Sequence, residues 1–239
     1  MKVVILCGGM GTRLRGAAGR LPKPLVLVGR HPILWHVMRG YAAFGFKEFI
    51  LCLGFGGSHI RDYFQRERDG VPPDWRIEFA DTGLYTNTGG RIKRIEPRIQ
   101  GDTFFATYAD GVANIDPRRL LEFHRRHSRI GTITTVNPAS PFGELTLGPR
   151  GIVTGFVEKP LLQRWINGGF FVFSRPFFRY LQANSILERD PLASLARDRQ
   201  LVAFKHTGFW CCMDTYKDTL TLNDLCREGP PPWTRWAER

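Results

Sequence analysis

The chain has 239 residues, 43% of them hydrophobic, which suffices for one large α/β domain over residues 1–239. Its net charge of +12 ordinarily favours nucleic-acid binding, but the 27 arginines are dispersed along the chain, so we expect no nucleic-acid partner. Apolar runs are shorter than a membrane span and a strand follows Met1-Lys2 directly, so the sequence predicts a cytoplasmic protein without a membrane anchor.

Apolar runs of strand length alternate with amphipathic helical stretches through the first half of the chain. The predicted elements there are strands over 2–7, 48–53, 75–80, 103–109 and 131–136, and helices that begin at Pro32, cover 58–67, open at Gly89-Gly90-Arg91 and cover 117–127. Such alternation is typical of βαβ units, whose sheet is covered by helices on both faces. The sequence therefore predicts an α/β fold, with His124 at the edge of its core.

The second half contains shorter strands and hairpins. Strands are predicted over 143–147, 152–157, 168–173 and 201–205, and helices near 175–182, over 191–198 and from Thr215. Because no linker interrupts the chain, we treat 1–136 and 137–239 as two halves of a single domain. The proline-rich tail that ends in Trp233 is expected to lie across the surface, where tryptophans cover apolar patches or meet a partner subunit.

A glycine-rich loop follows the first strand. Gly8, Gly9 and Gly11 can adopt positive φ values and expose backbone N–H groups to an anion, and Arg13 and Lys23 add positive charge. The loop lacks the Gly-Lys-Ser/Thr of a Walker A sequence and the acidic residue of a dinucleotide-binding fold. It indicates a phosphate site of the nucleotidyltransferase kind, and a structural turn without a ligand is the alternative.

Two aspartates follow apolar strands at distant points of the chain. Asp110 precedes Gly111 at the end of one strand, and Asp214 follows an apolar stretch and precedes a helix. Carboxylates at strand ends can converge on Mg²⁺, which proteins usually hold with one or two carboxylates together with substrate phosphates. For either aspartate alone, a helix N-cap or a turn residue is the alternative.

Two further motifs suit a phosphorylated sugar. Lys159 follows a strand in Glu158-Lys159-Pro160, and Asn167 begins another strand beside Gly168. A lysine can meet a phosphate as a mobile charge, and an asparagine can both donate to and accept from sugar hydroxyls. An ordinary solvated turn remains the alternative for the Glu-Lys-Pro sequence.

These stretches together resemble the sugar-1-phosphate nucleotidyltransferases, and in particular the glucose-1-phosphate cytidylyltransferases. The motifs that carry the resemblance are Leu6 to Arg13, Pro22-Lys23-Pro24, Pro32 to His36, Asp81-Thr82-Gly83, Thr88 to Arg91, Thr107 to Gly111, Glu158-Lys159-Pro160, Ile166 to Val172 and Gly208 to Thr215. The resemblance implies the nucleotidyltransferase fold, a Rossmann-like three-layer αβα arrangement with a mixed, mostly parallel central sheet. It also implies Mg²⁺ as cofactor, CTP and a sugar 1-phosphate as substrates, and a homo-oligomer.

The resemblance further assigns roles to residues of this chain. The implied nucleotide-binding residues are Leu6, Cys7, Gly8, Gly9, Met10, Gly11, Thr12, Arg13, Lys23, Thr86, Arg91 and Ala109. Arg13 and Lys23 are implied to be catalytic, Asp110 and Asp214 to bind the metal, and Lys159, Asn167 and Gly168 to bind the sugar phosphate. Nucleotide binding is assigned to the half over 1–136 and sugar-phosphate binding to the half over 137–239.

The predicted reaction is Mg²⁺-dependent transfer of a cytidylyl group from CTP to α-D-glucose 1-phosphate, giving CDP-glucose and pyrophosphate. The segment between Phe79 and Gly89 is shorter than the family pattern, and Thr86 and Arg91 flank a Gly89-Gly90 turn that we expect to face the base. The alternatives are the same reaction with another sugar 1-phosphate or a phosphonate, or with UTP, and, more distantly, a non-catalytic nucleotide-binding regulator.

Overall fold

The computed structural model describes residues 1–11, 21–67 and 70–238, and a seven-stranded sheet forms its centre. From one edge to the other the strands are Leu201–Lys205 (β12), Gly131–Val136 (β8), Ile166–Ser174 (β11), Thr103–Tyr108 (β6), Lys2–Leu6 (β1), Glu48–Leu53 (β4) and Arg76–Asp81 (β5). Strand β11 runs antiparallel to both of its neighbours, and the other pairs of this sheet are parallel. The predicted mixed, mostly parallel sheet is confirmed.

Helices cover the two faces of this sheet. One face packs against Ile33–Ala42 (α1), Gly57–Asp62 (α2), Pro117–His127 (α4) and Tyr216–Arg227 (α6), and the other against Thr88–Arg94 (α3) and Asp190–Arg197 (α5). Successive side chains of a strand point to opposite faces. Val3 and Ile5 of β1 therefore enter the first core, and Val4 and Leu6 enter the second. The three-layer αβα architecture is confirmed.

Three small two-stranded sheets accompany the central one. They are Leu27–Val28 (β2) with His31–Pro32 (β3), Gly111–Ala113 (β7) with Trp210–Cys212 (β13), and Glu144–Leu147 (β9) with Val153–Val157 (β10). The strands of the β9–β10 hairpin were predicted, over 143–147 and 152–157. The other two were missed because strands of two or three residues are too short to show a period of two.

The predicted helix near 175–182 is instead a 3₁₀-helix over Arg175–Tyr180. Two adjacent phenylalanines, Phe177 and Phe178, are both buried in the second core. The tighter winding of a 3₁₀-helix suits such a short connecting element. Another local difference follows α2, where Tyr63–Glu67 forms a π-helical turn.

The tail packs against the first helix. Trp233 is only 1% exposed, and its Nε1 donates to Nδ1 of His36 on α1 at 3.2 Å. The tail therefore covers an apolar part of its own chain, which is one of the two roles expected for it. Among the described residues, no helix has both the length and the apolar character that crossing a membrane requires.

Candidate functional site

A cavity of about 400 Å³ opens where β1 and β6 end. Its lining residues are Leu6, Cys7, Gly8, Gly9, Gly11, Lys23, Pro24, Thr86, Asn87, Thr88, Arg91, Tyr108, Ala109, Asp110 and Asp214. The carboxyl ends of parallel strands meet at one edge of a sheet, and ligands of open α/β folds bind there. The cavity therefore occupies the position at which this fold places its substrates.

The three loop glycines differ in their surroundings. A Cβ on Gly8 would lie 2.1 Å from Nη1 of Arg91, so Gly8 makes room for that guanidinium. Gly9 has open space beside its Cα, which leaves its backbone accessible from the cavity. Gly11 has a φ of +57°, in the left-handed region that favours glycine. Of these three glycines, Gly11 alone adopts the positive φ that the sequence allowed for all of them.

Arg91 holds the glycine loop in place. Its side chain is 4% exposed, and its Nη2 donates to the backbone oxygen of Gly8 at 2.9 Å. Nη1 donates to the oxygens of Leu53 at 2.9 Å and Gly83 at 2.9 Å, and to Oγ1 of Thr82 at 2.7 Å. Burial lowers the pKa of this guanidinium, although it remains a cation at neutral pH. The arginine thus joins the loop to the ends of β4 and β5.

The β7–β13 ribbon brings the two aspartates together. Cys212 pairs with Gly111 in this ribbon, and the N–H of Met213 donates to the backbone oxygen of Asp110 at 2.8 Å. Asp110 is therefore placed just before β7, and Asp214 just after β13. The N-cap of α6 is Thr215, whose side chain accepts from the N–H of Asp218, so Asp214 is not the capping residue.

Lys23 lies between these two carboxylates. Its Nζ is 2.6 Å from Oδ2 of Asp110 and 2.7 Å from Oδ1 of Asp214. Burial by itself lowers the pKa of Lys23, but the two carboxylates outweigh burial and raise it above its ordinary value. The side chain is therefore a cation throughout the neutral range. It lies at the edge of the cavity beside Gly11, where an added Cβ would lie 3.1 Å from the Lys23 Cβ.

The two aspartates also fit a divalent cation. Asp110, Cys212 and Asp214 offer ligand atoms that all lie within 4.8 Å of one another. Two carboxylates that line the cavity match the oxygen-rich donor set of Mg²⁺, whereas the thiol suits softer metals. The short contacts with the Lys23 ammonium show that this place already accommodates positive charge.

The residues expected to bind the sugar phosphate divide into two groups. Asn167 donates from Nδ2 to the hydroxyl of Tyr108, a lining residue, at 3.4 Å, and the Gly168 oxygen accepts from Nε1 of Trp210 at 2.8 Å. Lys159 lies at the end of the β9–β10 hairpin, half exposed, with its Nζ 3.6 Å from Oε1 of Glu158. In the described parts of the chain, Lys159, Asn167 and Gly168 are all outside the lining set, although Asn167 contacts the lining residue Tyr108.

Most of the predicted nucleotide and metal residues line the cavity together. Met10 is 41% exposed and is outside the lining set, while Thr12 and Arg13 lie outside the described residues. Sequence reasoning missed Pro24, Asn87, Thr88 and Tyr108 as lining residues. The period of two along β6 was a usable signal for Tyr108, which precedes Asp110 by two positions.

The Gly89-Gly90 pair does not form the predicted turn. Both glycines lie inside α3, and the N–H of Gly90 donates to the Ser185 oxygen at 3.0 Å. A Cβ on Gly90 would lie 2.2 Å from the Ala183 oxygen, so close packing between α3 and the segment 183–185 requires glycine there. The pair therefore belongs to the helix that was predicted to open at Gly89-Gly90-Arg91, and its orientation toward the base stays a prediction.

Comparisons with known proteins agree with this geometry. The family model described as nucleotidyl transferase matches residues 2–225. A probable glucose-1-phosphate cytidylyltransferase of Bacillus subtilis (strain 168) is 40% identical, over 99% of this chain and 100% of that protein. A glucose-1-phosphate cytidylyltransferase of Salmonella typhi is 38% identical over the same shares. The crystal structure of HddC from Yersinia pseudotuberculosis shares the fold, with a TM-score of 0.74 and 24% identity over 93% of this chain and 98% of that chain. The chain therefore belongs to the sugar-1-phosphate nucleotidyltransferase family and is an enzyme of that family.

Proposed function

We propose that the enzyme transfers a cytidylyl group from CTP to α-D-glucose 1-phosphate and releases pyrophosphate. The observation that carries the proposal is Lys23 held between Asp110 and Asp214 beside a glycine loop, in one cavity at the edge of the sheet. The choice of CTP and of glucose is supported by the names of the two relatives. The alternative is the same transfer with another sugar 1-phosphate, a phosphonate or UTP.

The reaction needs no general base. The second pKa of a phosphate monoester is about 6, so the attacking oxygen of the sugar 1-phosphate is already ionised near neutral pH. That oxygen forms a bond to the α-phosphorus of CTP, and the bond from this phosphorus to the pyrophosphate oxygen breaks. The protein has only to align the two phosphates and to stabilise the charge on the departing pyrophosphate.

The described residues can supply both requirements. The Lys23 ammonium offers a mobile charge to the phosphates, and Gly9 leaves the loop backbone open to them. Arg91 acts indirectly, because its bond to the Gly8 oxygen fixes the loop. Asp110 and Asp214 are the residues that would hold Mg²⁺, which would neutralise negative charge on the phosphates. Arg13, outside the described residues, remains a proposed catalytic residue.

The proposal divides one domain, residues 1–239, between the two substrates. Residues 1–136 supply the glycine loop, Lys23, Thr86 and Asp110 for the nucleotide. Residues 137–239 supply Asp214 and the proposed sugar-phosphate residues, which are Lys159, Asn167 and Gly168. Because the metal aspartates come from different halves, the two halves must meet before the reaction can occur.

The proposal also includes a homo-oligomer, supported by the β9–β10 hairpin. Leu145, Leu147, Phe156 and Val157 of this hairpin are each more than half exposed. Exposed apolar patches of this kind mark sites of association. The segment 142–161 contains two acidic and two basic side chains, so it is neutral within a chain of net charge +12. A neutral apolar surface is where two such cationic copies can meet with least repulsion.

The test measures pyrophosphate release by the purified chain with Mg²⁺, glucose 1-phosphate and each of CTP, UTP, dTTP and GTP. We expect CTP to react fastest and UTP to be the leading competitor. Asp110→Asn and Asp214→Asn should each lower turnover about 10²-fold or more, because each removes a carboxylate proposed to hold the Mg²⁺ that would stabilise the transition state. Both variants should keep the melting temperature within a few degrees.

Each part of the proposal can fail separately in this experiment. Fastest release with dTTP or GTP would exclude the cytidylyl assignment. Release with another sugar 1-phosphate, but none with glucose 1-phosphate, would exclude glucose as the acceptor. Near-normal turnover of Asp110→Asn or Asp214→Asn at limiting Mg²⁺ would remove that aspartate from the metal site.

A further inference from the structure

Glu188 lies outside the cavity but contacts two residues that line it. One carboxylate oxygen accepts from the hydroxyl of Tyr108, and the other accepts from the hydroxyl of Thr88 at 2.8 Å. Tyr108 ends β6 two residues before Asp110, and Thr88 begins α3. The mechanism above gives Glu188 no role, although both of its partners line the cavity.

A chain of hydrogen bonds connects Glu188, through Tyr108, to Asn167, one of the proposed sugar-phosphate residues. Because the Tyr108 hydroxyl donates its proton to Glu188, it accepts from Nδ2 of Asn167 at 3.4 Å. Oδ1 of Asn167 accepts from the N–H of Gly169 at 2.8 Å. The Asn167 amide is therefore oriented by one hydrogen bond at its nitrogen and one at its oxygen. The Glu188 carboxylate determines the direction of the hydrogen bond at the nitrogen.

The ring of Tyr108 also fixes the path of the backbone at the start of β11. A Cβ on Gly169 would lie 2.6 Å from Cδ2 of Tyr108, so the ring packs directly against this glycine, whose φ is +80°. The register of β11 with β8 shifts between Asn167 and Phe171. This part of the strand departs from regular pairing, and its position depends on the Tyr108 ring.

The nucleotide side of the cavity depends much less on Glu188. Besides the Glu188 contact, α3 is held by the bond from Gly90 to Ser185 and by the bond from the Leu187 N–H to Oγ1 of Thr88 at 2.9 Å. Loss of the Glu188 carboxylate would leave both of these contacts in place. At the start of β11 the backbone has other contacts, since Asn167 pairs with Thr135 of β8 and the Gly168 oxygen accepts from Trp210. The amide N–H groups of Asn167, in contrast, have the Tyr108 hydroxyl as their partner among the described bonds.

We infer that Glu188 is a positioning residue for the acceptor: through Tyr108 it orients the side-chain amide of Asn167, at the start of β11, for the sugar 1-phosphate. This inference rests on the proposed function, because it takes β11 as the acceptor side. Glu188 itself touches neither substrate. Because the Tyr108 hydroxyl donates its proton to Glu188, it accepts from Asn167 and does not donate to it. One N–H of the Asn167 amide is then bound to Tyr108, and the second N–H is presented to the ligand.

The test compares Glu188→Ala, Glu188→Gln and Tyr108→Phe in steady-state kinetics, with the nucleotide and sugar 1-phosphate that the unaltered chain uses best. Glu188→Ala should raise KM for the sugar 1-phosphate about tenfold, the effect expected of one lost charge-assisted hydrogen bond. KM for the nucleotide and the melting temperature should change little. Glu188→Gln should restore most of the loss, since its amide can accept from Tyr108 and donate to Thr88. In the Tyr108→Phe background, Glu188→Ala should have little further effect.

Asp198→Asn is the matched control, because Asp198 accepts from the hydroxyl of Tyr180 at 3.0 Å in a tyrosine–carboxylate pair outside the cavity. It should leave both KM values unchanged. Equal losses for both substrates, a large fall in melting temperature, or unaltered kinetics of Glu188→Ala would each overturn the inference. Activity with a different sugar 1-phosphate would change the proposed acceptor, but Glu188→Ala should still raise KM for that acceptor selectively. No turnover with any substrate pair would contradict the proposed function and the inference together.

Discussion

Arg91 shows how a single buried cation can organise a binding loop. Its guanidinium donates to oxygens of three separate segments, and none of these partners is a carboxylate. The five N–H donors of arginine are arranged in a rigid fork, which a lysine cannot reproduce. The room for this fork is provided by Gly8 and also by Gly54, where a Cβ would lie 2.6 Å from Nη1 of Arg91.

Arg91→Ala should therefore destabilise the protein as well as weaken nucleotide binding. The substitution leaves several buried backbone oxygens without donors, which costs on the order of 3–5 kcal/mol of unfolding free energy. Chemical denaturation measures this change. Arg91→Lys should have an unfolding free energy between those of Arg91→Ala and the unaltered protein, because an ammonium reaches fewer of these oxygens at once.

Arg94→Ala provides the control on the same helix. Arg94 donates to the Thr82 oxygen at 2.7 Å but does not reach the glycine loop. It should lower stability less and leave nucleotide affinity nearly unchanged. If Arg91→Ala instead abolished nucleotide binding with an unchanged free energy of unfolding, Arg91 would be a direct ligand and not an organiser of the loop.

Individual residues were predictable from the sequence to the extent that their chemistry is local. The glycine loop and Lys23 were found because glycine and a nearby cation are needed wherever backbone meets phosphate. The bonds of Arg91 could not be predicted, since they join residues 8, 53 and 82–84, which become neighbours only in the folded chain. Lys159 was predicted on its motif alone, and its exposed position depends on the hairpin that precedes it.

At the scale of elements, long periodic segments were predicted well and short ones were not. Helix α4 and strand β8 have the predicted bounds, because each presents a regular apolar face to the sheet. The β7–β13 ribbon was missed, yet it is the element that brings Asp110 to Asp214. The sequence predicted both aspartates at strand ends, but the contact between them depends on a pairing with no periodic signal.

The β9–β10 hairpin gives the element-scale prediction. A two-stranded hairpin is marginally stable by itself in water, and this one exposes large apolar side chains. We expect the purified chain to have the mass of a dimer or a larger oligomer in light scattering at micromolar concentration. Leu145→Ser combined with Phe156→Ser should shift it toward the monomer, because polar side chains remove the apolar area that association buries.

A charge-neutral pair of substitutions outside the hairpin serves as its control. Leu27→Ser and Leu220→Ser replace two other exposed leucines and should leave the mass unchanged. A monomer already in the unaltered chain would reject the predicted oligomer. An oligomer that persists in the double variant would show that a different surface holds the copies together.

At the scale of the whole molecule, two buried histidines connect separate elements while remaining neutral. His36 accepts from Trp233 at Nδ1 and contacts the Val28 oxygen from Nε2 at 2.8 Å. His124 forms hydrogen bonds from Nδ1 to Oγ1 of Thr132 at 2.8 Å and from Nε2 to Oγ of Ser174 at 3.0 Å. It is buried, which confirms its expected place at the core. Burial is the main cause that lowers the pKa of His36 and of His124 from 6.5 to about 4.

The protein should consequently lose stability between pH 6.5 and pH 4. In this window the unfolded chain binds protons at both histidines and the folded chain does not, so acidification favours unfolding. The loss is at most about 3 kcal/mol for each histidine once the pH has fallen to the folded pKa. Urea unfolding at several pH values measures it.

His36→Gln should make that pH dependence shallower. A glutamine can accept from Trp233 and donate to Val28 without titrating. His59→Gln changes an exposed histidine and is the control, with a pH dependence like that of the unaltered chain. Parallel curves for His36→Gln and the unaltered protein would show that His36 does not contribute to acid unfolding.

The pairing of β7 with β13 has a consequence for the order in which the site is completed during synthesis. The glycine loop, Lys23 and Asp110 leave the ribosome long before Asp214, and Asp214 reaches them only when β13 adds to β7. A nascent or truncated chain that ends before Trp210 contains the nucleotide loop but lacks the second carboxylate. Under the proposed function, a chain that stops before β13 should therefore not turn over nucleotide, because it lacks one of the two proposed metal ligands.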